Sequence, residues 1–194
     1  MLPEKFIFIA FALNIFGQLL YMRSILKGHA KPNLVSWGIW MLAPFLGFFF
    51  QIQAGAGLSS LPIFMAGFGP LCVVSVAMIT KNGIWKINSF DIFCGAISLA
   101  ALALYVFTHN LEVSILFAIL SDFLAFIPTF VKSWKYPESE SSSGYSWSII
   151  SNMIGLLIIK DWSFAIYSFG IYFVFANIVE MLILYRKKIF KTSV

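Results

Sequence analysis

The apolar residues of this chain come in seven long runs, at 6–26, 33–51, 58–80, 89–108, 111–134, 145–159 and 163–185. A helix needs roughly 20 apolar residues to cross the hydrocarbon of a bilayer. A barrel strand would instead alternate over about 10 residues. The unbroken runs therefore predict an all-α polytopic membrane protein with seven transmembrane helices. Composition agrees: of the 194 residues 60% are hydrophobic and 11% charged. A water-soluble domain carries about a quarter charged residues, so there is too little polar surface here to cover a globule. The first run continues past Lys5 to Ile15 with no small-residue cleavage site behind it, and is expected to stay as a helix. Cys72 and Cys94 fall inside runs and read as small apolar fillers.

The turns between runs set the expected orientation. Eleven of the 13 basic residues fall on one side: Arg23, Lys27, Lys31, Lys81, Lys86, Lys132, Lys135, Arg186, Lys187, Lys188 and Lys191. Only Lys5 and Lys160 fall on the other. Basic loops stay in the cytoplasm, which puts the N-terminus outside and the C-terminus inside. The net charge of +5 then answers to anionic lipid headgroups and needs no nucleic acid. The longest polar stretch, KYPESESSSGYS at 135–146, reads as a flexible, solvated cytoplasmic connector.

The two ends of the chain resemble each other. NIFGQLLYMRSIL at 14–26 lies over DFLAFIPTFVKSW at 122–134, so that Asn14 meets Asp122 and Tyr21 meets Thr129. Each copy runs into a polar turn with a proline, Pro32 or Pro137, and then a Ser-Trp pair, Ser36-Trp37 or Ser146-Trp147. Further on, 63–78 lies over 166–181 with Gly67 on Gly170. The pattern divides the chain into a first three-helix unit (1–82), a linker helix (83–110) and a second three-helix unit (111–194). Two three-helix units joined directly would be inverted. One extra helix makes them parallel, with a site between the halves near the midplane.

This 3+1+3 plan, the expected orientation and the repeated turn resemble the PQ-loop and SWEET transporter superfamily. The motif region is Ile127-Pro128-Thr129-Phe130-Val131-Lys132, with Thr129 where that superfamily has Gln. The first copy has Leu20-Tyr21 and no Pro. KPNLVSWGIW and DFLAFIPTFVKSW also resemble a bacterial family of PQ-loop-like membrane proteins. The resemblance implies a protein of the bacterial cytoplasmic membrane. It implies a carrier of a small polar solute that works by rocking of two halves; it does not imply a sugar, and a sugar- or vitamin-like solute is the expectation for the function. It also implies a solute-binding Asn on the last helix of a unit, which is Asn177 here; the first copy has Val74 at that place.

Among the residues themselves, Asp122 constrains most. It stands half-way along the fifth run, where a carboxylate costs about 2.5–3.5 kcal/mol on insertion scales and marks function by default. Solute binding and proton coupling are its functional readings; a hydrogen bond that pins helices together is the structural one. Asn14, Gln18 and Tyr21 share one helix stripe, matched by Asp122, Phe126 and Thr129 on the fifth. Ser148, Asn152 and Gly155 form a stripe on the sixth. Gly170, Phe173, Asn177 and Glu180 form one on the seventh, with Glu180 expected to pair with a basic residue of the turns. The candidate solute ligands are thus Asp122, Asn152, Asn177, Asn14, Trp37 and Trp147. Pro128, Thr129, Tyr21 and Pro70 are the candidate gating positions, because proline in a span frees a carbonyl and permits bending. Trp40 reads as an interfacial anchor.

No metal-binding, nucleotide-binding or nucleophile motif occurs. His29 and His109 fall in turns on opposite sides, so no cofactor or metal and no enzymatic activity are expected. The expected partners are a small polar solute and membrane lipid, with a homo-oligomer left open. The alternative function is a non-transporting receptor or scaffold that binds a ligand or partner segment at the cytoplasmic face.

Overall fold

A computed structural model describes residues 2–81, 85–107 and 110–189. The expected unit boundary at 82–83, the last residue of the fourth run, His109 and Lys191 lie outside the described residues. All regular structure among the described residues is helical: α1 Ile7–Leu26, α2 Leu34–Gln53, α3 Leu61–Thr80, α4 Ser89–Phe107, α5 Leu111–Lys135, α6 Ser142–Leu157 and α7 Phe164–Ile189. Three short 3-10 turns, Glu4–Phe6, Gly57–Ser60 and Pro137–Ser139, lead into α1, α3 and α6.

The helix starts follow from local chemistry. Asn33 caps α2 by accepting from the Val35 amide at 3.1 Å, and Asn110 caps α5 by accepting from Val113 at 3.1 Å. Such caps satisfy donors that a helix N-terminus leaves open. Gly28, at φ +73°, turns the chain after α1, a conformation that glycine adopts without steric cost.

Five helical segments are long and apolar enough to cross a membrane: Glu4–Leu26, Leu34–Gln53, Gly57–Thr80, Glu112–Lys135 and Phe164–Ile189. The expected seven helices are present, and five of them satisfy that criterion. The other two are α4, apolar over the shorter stretch Ser89–Leu104, and the polar, 16-residue α6. The outward faces are apolar: Phe8, Phe16, Phe49, Phe93, Leu116 and Phe175 are all exposed. Asn14, Gln51, Asp122, Asn152, Asn177 and Glu180 are all buried. Apolar outside and polar inside is the arrangement that suits a lipid solvent.

The packing order brings distant segments together. α3 lies against both α1 and α2, and α7 lies against both α5 and α6. Across the bundle α1 packs on α6 and α2 packs on α5, while α4 leans on α5 and more lightly on α2. Small residues permit the close approaches. A Cβ on Gly17 would collide with Trp147, and one on Gly155 would come within 2.8 Å of the Pro62 ring. The ends of α1, α3, α5 and α7 that carry the turn and tail basic residues lie at one end, called here the basic end.

Candidate functional site

The helices other than α4 surround a central cavity of about 40 Å³. Asn14 and Gln18 reach it from α1, Trp37 and Trp40 from α2, and Ala66 and Pro70 from α3. Phe126 lines it from α5, Gly144, Tyr145 and Ser148 from α6, and Phe173 and Asn177 from α7. A water needs roughly 10–15 Å³ by this measure, so in this conformation the cavity has room for only a few water-sized groups. No lining side chain is charged. Four polar atoms of lining residues, Asn14 Oδ1, Gln18 Oε1, Trp37 Nε1 and Tyr145 Oη, are buried without a hydrogen bond inside the protein. Buried polar groups are almost always paired, so these atoms are suited to a polar guest. Asn177 donates its amide to the Phe173 carbonyl at 2.7 Å.

Away from the basic end the cavity is continued by a smaller void of about 10 Å³, lined by Asn152, Pro62, Ile63, Gly155 and Gly170. Asn152 donates to the Ser148 carbonyl at 2.9 Å, which links the two lining surfaces. Ser59, Ile159 and Ile166 line both this void and an outer vestibule of about 440 Å³ at the end opposite the basic one. The voids thus line up from that outer end to the bundle centre.

At the basic end the row stops. Tyr21 lies tilted against Trp37 with ring centroids 4.6 Å apart and stands edge-on to Tyr145 at 6.3 Å. The Tyr21 hydroxyl donates to the carboxylate of Glu140, and Lys132 forms an ion pair with the same carboxylate. Lys132 also donates to the Lys31 carbonyl at 2.7 Å. The Lys31 amide donates to the Ser139 carbonyl at 2.9 Å. Both side chains of the ion pair are at most 1% exposed. The segment 135–146, expected to be a solvated connector, therefore folds back: a 3-10 turn and the buried Glu140 side chain close over the bundle, and α6 already begins at Ser142. Nearby, Glu180 accepts from Ser133 at 2.5 Å and its other oxygen has no partner. Among the described residues Glu180 pairs with no basic side chain, unlike the expectation, and Lys132 is engaged by Glu140.

Asp122 is 0% exposed and faces neither lipid nor the cavity. Tyr172 of α7 donates to one carboxyl oxygen at 2.7 Å. The Trp40 indole donates to the Asp122 backbone carbonyl at 3.2 Å and lies against Phe126, ring centroids 4.2 Å apart. Trp40 thus touches the cavity and Asp122 stands behind it. Of the other candidates, Asn14, Trp37, Asn177 and Pro70 line the cavity. Asn152 lines the adjoining void. Tyr21 stands at the sealed end. Thr129 is buried with its hydroxyl unpaired, and Pro128 lies within α5. Neither reaches the cavity, nor does Trp147, which packs on Gly17 and Phe16. Sequence reasoning missed Glu140, Tyr145 and Tyr172. Tyr145 opens the sixth apolar run and reads there as its first residue; Tyr172 meets Asp122 fifty positions away and Glu140 meets Tyr21 from 119 positions away.

Compared with protein-family models, with curated proteins and with solved structures, the chain matches none.

Proposed function

We propose that this protein is a membrane carrier of a small, uncharged polar solute, which binds in the central cavity between two parallel three-helix units. The observation that carries the reading is the cavity lining: α1–α3 and α5–α7 all contribute, α4 does not, and unpaired polar atoms face inward. The matching packing order, α1 on α6 and α2 on α5, with α3 and α7 each inside their own triplet, supports a pseudo-two-fold axis along the membrane normal. An uncharged solute fits because a charge would be buried there without a partner. The cavity enlarges when the halves rock apart, and the prolines Pro70 and Pro128 ease the bending. The protein sits in the bacterial cytoplasmic membrane with the basic end in the cytoplasm, and seven helices cross, α4 and α6 among them.

Purified protein in liposomes tests this. Uptake of a panel of small uncharged polar solutes is expected for at least one member, with loss of uptake in Asn14→Ala and Trp37→Ala at unchanged folding. Uptake that is indifferent to both substitutions sinks the reading.

A receptor or scaffold is the second reading. It is favoured by a pocket of about 390 Å³ at the basic end, lined by His29, Lys31, Trp85, Tyr136 and Glu138. In that case a ligand protects the protein thermally, Trp85→Ala abolishes the protection, and liposomes show no uptake.

A further inference from the structure

Three ionisable side chains meet at the sealed end of the cavity, and they do not balance. Glu140 comes from the strap 137–141, Lys132 from α5 and Glu180 from α7. Lys132 pairs with Glu140. Glu180 is 0% exposed and is held beside Lys132 by its hydrogen bond to Ser133, the next residue of α5. Among the described residues the Ser133 hydroxyl alone bonds it, and Oε2 is unpaired. Two buried carboxyl groups thus compete for one ammonium.

An opening of this end has to lift the strap and take Glu140 into water. A buried lysine left behind without a partner is strongly unfavourable, which by itself would weld the end shut. Glu180 removes that obstacle, since its free oxygen is a ready acceptor on the helix that stays behind. We propose that Lys132, Glu140 and Glu180 form an exchange latch: the end is closed while Lys132 holds Glu140 and open once Lys132 has passed to Glu180. In each state the ammonium keeps one carboxylate, so neither state strands a buried cation. Tyr21 belongs to the closed state, where it donates to Glu140 and covers Trp37. The unpaired oxygen of Glu180 is then the receiving half of the exchange. The purpose of the latch, though not its operation, rests on the carrier reading.

A single thiol reads the gate. Cys72 and Cys94 are replaced by Ser, and cavity-lining Ser148 by Cys. Vesicles with the basic end facing the medium are treated with a membrane-impermeant thiol reagent. Glu140→Gln is expected to speed labelling at least about tenfold, the equivalent of about 1.4 kcal/mol in the closed-open balance. Glu140→Asp, which keeps the charge and shortens the reach, is expected to fall between. Glu180→Gln is expected to slow labelling about tenfold, and to lose that effect in a Lys132→Met background. Each variant is first checked for monodisperse elution, and Glu140→Asp with Glu180→Gln decides the matter if Glu140→Gln does not fold. Labelling that Glu180→Gln leaves unchanged, or that all Glu140 variants leave unchanged, overturns the latch. No solute enters this assay. A gate that behaves as described in a protein without uptake therefore refutes the carrier reading and leaves the latch standing.

Discussion

The phenol of Tyr172 donates a 2.7 Å hydrogen bond to one oxygen of the Asp122 carboxyl, whose other oxygen has no partner within the protein. Tyr172→Phe removes that donor and leaves a buried carboxyl group without any side-chain bond. The expected cost is about 1–3 kcal/mol, seen as a lower unfolding temperature in detergent. Tyr172→Phe combined with Asp122→Leu is expected to cost less than the two single changes added together, because the pair acts as one unit. Asp122→Asn in liposomes separates binding from coupling: if a proton travels on this carboxyl, uptake loses its pH dependence in the variant. Equal pH profiles for wild type and variant exclude proton coupling through Asp122.

The packing of α1 on α6 gives a second prediction. A methyl group on Gly17 collides with Trp147 near its Cβ, a part of the side chain that cannot swing away, whereas one on Gly38 meets nothing within 4 Å. Gly17→Ala is expected to destabilise by about 1–3 kcal/mol. Gly38→Ala, inside α2, is expected to be neutral or to gain up to about 1 kcal/mol from helix propensity. Thermal unfolding of the two variants side by side checks the contrast.

Gly69 offers a third prediction, this time for the cavity. A Cβ there would approach the Gln18 amide carbon at 2.6 Å and its nitrogen at 2.7 Å. These atoms are the far end of a flexible side chain, so Gly69→Ala is expected to move Gln18 rather than to break the bundle. The destabilisation should be smaller than for Gly17→Ala, while solute affinity changes several-fold. A binding isotherm that is unaltered alongside an altered unfolding temperature would contradict this.

Two ion pairs differ sharply in burial, and the fourth prediction uses the difference. Lys132–Glu140 is enclosed, whereas Lys160–Glu4 is 73% and 51% exposed. Lys132→Met strands a buried carboxylate and is expected to cost about 3–5 kcal/mol. Lys160→Met is expected to cost about 0–1 kcal/mol. The loss in the first case should be nearly independent of salt, because the pair is shielded from counterions.

The helices were legible because apolar runs bounded by Asn, Pro and Lys state their own limits. α1, α4 and α5 fall within one residue of expectation over the described residues, and α2 and α3 within three. The legibility failed where a residue's surroundings come from elsewhere in the chain. Glu140 sits among serines and reads locally as solvated. The groups that bury it are Tyr21 and Lys31, more than a hundred positions earlier, together with Lys132. Asp122 and Thr129 were correctly read as sharing one face of α5, and both are buried. A stripe identifies the face and not its neighbours, so it could not reveal that Asp122 is met by Tyr172 and lies behind the cavity-lining Trp40. Asn14 and Asn177 reach the cavity from their stripes as expected, since each lies on a helix whose polar side chains have no other interior to meet.

The brevity of α6 has a consequence for the host lipid. Sixteen residues extend only about 24 Å at 1.5 Å per residue, against a hydrocarbon thickness of about 30 Å. On the proposed arrangement in which α6 crosses, the acyl chains beside the outward-facing Ile150, Met153 and Leu157 compress on that flank. Such mismatch costs fractions of a kcal/mol per Å. Vesicles of short-chain phospholipid relieve it and long-chain ones aggravate it, so the protein is expected to be most stable where the membrane is thinnest.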